Sequence, residues 1–193
     1  MPLAVCMGAA FGGVGLGFSA IKDMENGFFD RLRMAPTPRR SLIIGPLISC
    51  YIRTLVVVTV VLLVSIGFGA RPTSGVVGLA MLYIAALGLS TVSAGWGLGI
   101  AFRFRDMRGA AIMQLTLFLT MFLSSAQTPL NVMSGWLHTV ARYNPATNIL
   151  RLSRQGFLGD VTWDGVWGGL VALVGLSVLT LWFARRGLDS LDR

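Results

Sequence analysis

The sequence predicts an all-α integral membrane protein with five transmembrane helices, and three observations predict it. Of the 193 residues, 54% are hydrophobic, only 12% are charged, and the mean hydropathy is +0.73. A soluble domain carries about 25% charged residues, roughly twice as many. Five apolar segments, at about 3–21, 42–69, 76–102, 110–128 and 166–184, are each long enough to cross a hydrocarbon core of about 30 Å, which takes roughly twenty helical residues. Apart from Arg53, the charges gather between these segments and not within them.

The first segment is crowded with glycine. Gly8/Gly12 and Gly13/Gly17 form two GxxxG spacings, with Gly15 between. Small residues let helix backbones approach closely where lipid supplies no hydrophobic drive. Gly95 and Gly99 repeat the pattern in the third segment, where "GWGLG" has no preceding strand and reads as helix packing, not as a dinucleotide loop. Met1 stands at the edge of the first span with neither a basic region nor the cleavage pattern of a signal peptide. The expectation is a further span upstream, with five spans as the alternative. The second and third segments are over-long, which predicts a tilt or an interfacial turn.

Basic residues set the orientation. Segment 22–41 carries five, 103–109 carries Arg103, Arg105 and Arg108, and the tail 185–193 carries three. The opposite set has Arg71 and, in 129–165, three more. Eleven against four places segment 22–41, 103–109 and the C-terminus in the cytoplasm, across a plasma (inner) membrane.

Between the first two spans lies "ENGFFDRLRMAP", Glu25 to Pro36. Read at 100° per residue, Met24, Phe28, Leu32 and Ala35 share a face, predicting an amphipathic helix at about 24–35. Asp23 and Glu25 at its start and Arg31 and Arg33 near its end match the helix dipole, and Pro36 and Pro38 stop it. Topology alone accounts for the arginines but gives the acids no role. A docking surface uses both signs to fix register. The residues leave both readings open.

Polar groups inside spans are functional candidates by default. Arg53 lies well inside the second span and either snorkels or faces a pathway. In the fourth, Gln114, Thr116, Thr120, Ser124 and Gln127 are polar, and Thr116, Thr120 and Ser124 recur every four residues. That face suits a translocation path between two copies, or equally a packing seam. In the segment 129–165, Asn144–Pro145 is a helix start, and Trp136 and Tyr143 suit a membrane interface.

Several classes are set aside. The basic residues flank spans and form no stripe with interleaved aromatics, which argues against nucleic acid. Lys22, the only lysine, stands between Ile21 and Asp23, so no Walker A loop exists and any ATP with its magnesium is bound by another chain. Cys6, Cys50 and the single His138 have no metal-site or disulfide spacing. No catalytic set is visible, so the chain reads as no enzyme. A secondary transporter is disfavoured because the acids avoid the spans.

The stretch "ENGFFDRLRMAP" followed by "TPRRSLIIGPLI" resembles the E-x-G-x-x-[DE]-R-L-[RL]-x-[TAS]-P segment of type-2 ABC-transporter permeases, in the daunorubicin and multidrug-resistance branch. The resemblance covers essentially the whole chain. It implies that Glu25, Gly27, Phe28, Asp30, Arg31, Leu32, Arg33 and Pro36 form a coupling helix that rests in a groove of an ABC ATPase subunit. It also implies six spans, external short helices before the last one, a homodimer, and export of an amphipathic drug, antibiotic or lipid. The alternative is a truncated or non-transporting membrane scaffold.

Overall fold

The computed structural model describes residues 2–28, 31, 34, 41–69, 75–124, 135–158 and 163–190. Over the described residues the chain forms α1 (Pro2–Glu25), α2 (Ser41–Gly67), α3 (Gly75–Phe104), α4 (Met107–Phe122), α5 (Trp136–Tyr143), α6 (Pro145–Leu158) and α7 (Trp163–Asp189). By length and apolarity α1, α2, α3 and Val166–Asp189 of α7 are able to cross a membrane, and α4 is a shorter apolar helix.

α3 is the central element. It packs most extensively on α1 and α7, and also touches α2, α4 and α6. Its small residues make this possible. A Cβ added at Gly13 of α1 would lie 2.6 Å from Ser93 Cβ and 2.7 Å from the Ser90 carbonyl oxygen, so only glycine admits α3 at that distance. Gly17 meets Gly97 in the same way. Gly95 and Gly99 use the opposite side of α3, against Thr180 and Phe183 of α7. Residue numbers rise together along both seams, so α1, α3 and α7 run parallel.

α2 and α4 run the other way. Tyr51 and Thr91 share a hydrogen bond of 3.0 Å, and Thr59 and Tyr83 one of 2.8 Å. Eight residues forward on α2 is therefore eight residues back on α3. On the α1–α4 seam, Phe11 meets Phe118 edge-on at 5.6 Å, and Ile21 lies near Gly109.

The parallel set brings the basic segments to one end of the bundle. α3 ends in a left-handed residue, Arg105 (φ 57°), whose N–H reaches the Ala101 carbonyl at 2.9 Å. Asp106 then caps α4 by accepting the Arg108 N–H at 3.0 Å. The Arg105 Nη2 donates to the Ser190 carbonyl at 3.1 Å, tying this turn to the end of α7. The Lys22 end of α1 lies at the same end.

Some expected boundaries shift. α1 continues through Met24 and Glu25, which sequence periodicity had placed at the start of the amphipathic helix. The break falls two residues later. Asn26 N–H reaches the Lys22 carbonyl and Gly27, at φ +67°, turns the chain out of α1. α4 starts at Met107 and ends at Phe122, six residues short of the expected 128, because Leu123 and Ser124 fold back on the last turn. At about 1.5 Å per residue its 16 residues span roughly 24 Å.

Candidate functional site: an apolar cavity between α4 and α7

α4 and α7 flank a cavity of about 700 Å³, backed by α3. Leu89, Val92, Ser93 and Trp96 line its floor; Thr116, Leu119 and Thr120 form one wall; Leu176, Leu179 and Thr180 form the other. Val140, Asn144 and Ile149, from the α5–α6 region, close one end. Trp96 is held flat by stacking on Phe183 at 5.4 Å.

Four hydroxyls of this cavity have spent their protons. Thr116 donates to the Ile112 carbonyl, Thr120 to Thr116, and Ser93 to Leu89, each at 2.8 Å; Thr180 donates to Leu176 at 2.9 Å. The Asn144 amide and the Trp96 indole, whose N–H has no partner among the described residues, also line the space, and no charged side chain among those residues does. Such a cavity accepts apolar or weakly polar groups and rejects bare ions, whose desolvation nothing here offsets.

The residues expected to form a pathway divide. Thr116 and Thr120 line the cavity. Ser124 is fully buried just past the helix end, its hydroxyl donating to the Met121 carbonyl at 2.7 Å, and it does not line the space. Gln114 is half-buried and lies apart, and Gln127 is outside the described residues. Ser93, Thr180 and Asn144 were missed. Ser93 and Thr180 are polar residues within spans, so the rule that singled out Thr116 also marks them.

Arg53 lines a second space, a cleft of about 380 Å³ between α1 and α2 that also touches Asp23 and Phe28. α1 and α2 are antiparallel, with Gly8 against Val57, so Arg53 stands abreast of Gly12. Its Nη1 nevertheless lies beside Gly15, so the side chain leans toward the basic end of the bundle.

Of the expected docking residues, Glu25 and Arg31 are exposed, Gly27 makes the turn after α1, and Phe28 is 54% exposed. Helical geometry resumes there, with Arg31 N–H directed at the Gly27 carbonyl at 3.4 Å. Asp30, Leu32, Arg33 and Pro36 are outside the described residues.

Comparison with known proteins agrees with this architecture. The chain is 26% identical over 163 residues to the probable multidrug ABC transporter permease YbhR of Escherichia coli strain K12, covering 84% of this chain and 44% of that one. It is 25% identical over 168 residues to the daunorubicin resistance ABC transporter permease protein DrrB1 of Streptomyces coeruleorubidus, covering 86% of this chain and 58% of that one. The chain thus spans about half the length of these relatives. Residues 1–158, from the glycine seam of α1 through the capped helices α5 and α6, match the ABC-2 type transporter model, and the chain belongs to that family.

Proposed function

We propose that this chain is the membrane-spanning subunit of an ATP-driven exporter, working as a homodimer with a separate ABC ATPase. The observation that carries the proposal is the convergence of three basic segments at one end of a bundle of the ABC-2 type. That end faces the cytoplasm by the distribution of positive charge. There the segment Glu25–Pro36 offers an exposed aromatic, Phe28, between an acid and a base, Glu25 and Arg31. Mixed charges around an apolar anchor suit docking onto another protein.

ATP and its magnesium belong to the partner, since this chain has no lysine in a phosphate loop. Movement imposed on Gly27 and Phe28 would pass directly into α1, and through the close α1–α3 seam to the walls of the apolar cavity. Its chemistry suits the apolar portion of an amphipathic drug, antibiotic or lipid, and the names of the two relatives point to the same kind of cargo.

The test is a cysteine at position 28 (Phe28→Cys), crosslinked in native membranes, with the captured chain identified by mass spectrometry. The expected result is an ATPase bearing a Walker motif, lost when Glu25→Arg and Arg31→Glu are combined. Capture of lipid alone, with normal insertion of the protein, refutes the docking role.

A further inference from the structure

The cleft holding Arg53 is not explained by an apolar export pathway. It lies between the C-terminal half of α1 and the N-terminal half of α2, and Leu16, Ala20, Leu42 and Phe102 make its apolar wall. Among the described residues no carboxylate lies within salt-bridge distance of Arg53. A guanidinium at this depth calls for an anion.

Two other features define what the anion is attached to. Asp23 lines the same cleft, eight residues beyond Gly15 on α1, roughly 12 Å nearer the basic end at about 1.5 Å per residue. Pro46 also lines it, and the missing proline N–H deprives the Leu42 carbonyl of its helical partner. The cleft thus presents an exposed cation well along α2, and a carboxylate with a carbonyl acceptor nearer the basic end. From the level of Arg53 away from the basic end, Ile52, Val56 and Val60 of α2 form an exposed apolar strip, 60%, 57% and 53% accessible.

We propose that this cleft binds the headgroup of a zwitterionic aminophospholipid from the leaflet at the basic end. The phosphate sits on Arg53, the ammonium is held by Asp23 and the Leu42 carbonyl, and the acyl chains run deeper along Ile52, Val56 and Val60. The order of charges matches such a lipid, whose phosphate lies deeper in the membrane than its amine. An anionic lipid without an amine would leave Asp23 facing its negative charge. A choline headgroup would supply charge but no N–H donor. The inference rests on the chain lying in a bilayer, and not on the ATPase or the cargo.

The test is lipid retention by the purified full chain, delipidated in detergent and offered equal amounts of phosphatidylethanolamine, phosphatidylcholine and phosphatidylglycerol. Bound species are counted by native mass spectrometry. Phosphatidylethanolamine should be retained about ten-fold over phosphatidylcholine, the worth of one charge-assisted hydrogen bond. Arg53→Gln should abolish this retention and Arg53→Lys should keep part of it. Asp23→Asn, at the exposed end of α1, should shift preference toward phosphatidylglycerol without altering the melting temperature. Equal retention of all three lipids, or retention unchanged in Arg53→Gln, overturns the proposal. Displacement of the lipid by millimolar inorganic phosphate alone would overturn the headgroup assignment in favour of a simple anion site. Lipid retention is read without ATPase or transport, so its failure leaves the exporter reading standing.

Discussion

Asn144 donates its side-chain amide to the backbone carbonyl of Thr120 across 2.9 Å, while its amide oxygen accepts the N–H of Ala146 at 3.0 Å. One side chain therefore satisfies a carbonyl at the end of α4 and caps the start of α6. The orphan groups of two helix ends are matched to each other. Because both Thr120 and Asn144 line the apolar cavity, this joint also fixes the shape of its closed end.

Replacing Asn144 by alanine removes a cap and leaves a carbonyl unpaired, so a loss of about 2–4 kcal/mol is expected. Asn144→Ser keeps the cap for α6 but cannot reach Thr120, and should fall between wild type and Asn144→Ala. Thermal melting in detergent checks the order. Equal stability of all three proteins would show that the bridge contributes nothing.

The α1–α3 seam makes a contrast between adjacent glycines. A side chain at Gly13 collides with Ser90, Ser93 and Ala94, whereas nothing stands within 4 Å of a Cβ at Gly12. Gly13→Leu should cost about 3 kcal/mol or prevent assembly, and Gly12→Leu should fold normally. The comparison is read from the yield of monodisperse protein and its melting temperature.

What the sequence made legible follows from which forces are local. Thr116 and Thr120 share a face because helix periodicity is a property of the chain itself, and both line the cavity. Asn144–Pro145 was legible as a helix start for the same reason, and Asn144 does cap α6. Ser124 was placed on the Thr116 face by extending the period four residues too far. α4 closes at Leu123 and Ser124, and a carbonyl of its last turn is satisfied by Asn144, more than twenty residues away in the chain, which no local pattern encodes. The overlap of α1 with the expected amphipathic helix has a different cause. Backbone hydrogen bonds do not stop where hydropathy falls, so α1 carries its charged end out to Glu25. The signal that ends it, Asn26–Gly27, is a turn dipeptide that reading periodicity alone passes over. The cleft around Arg53 was invisible, because its members come from α1, α2 and α3 and meet only through the packing of the three helices.

Orientation is open to a direct test. Cysteines replacing Asp23, Asp106 and Ser190 one at a time stand at the basic end, and one replacing Thr139 in α5 stands at the other. Cys6 and Cys50 are buried and should give little background. A membrane-impermeant maleimide applied to intact cells should label position 139 alone, and inverted vesicles should reverse the pattern. Labelling of 106 and 190 from opposite sides would contradict the parallel arrangement of α3 and α7.

The cavity makes a prediction about transport that separates volume from polarity. The Thr116 hydroxyl is engaged within its own helix, so Thr116→Val removes no bond to anything outside α4. Stability should change by less than about 1 kcal/mol and efflux by no more than about two-fold. Thr120→Phe adds a ring to a wall of a space of about 700 Å³ without adding charge. If apolar cargo occupies that space, efflux of a large substrate should drop by about ten-fold, close to 1.4 kcal/mol in transition-state terms, while a small one is less affected. Both variants keep the backbone carbonyl that Asn144 needs. Efflux measured across a size series of uncharged dyes, with expression and melting matched, decides it: a uniform loss at every size would mean that Thr120→Phe acts on the fold, and no loss at any size would remove the cavity from the pathway.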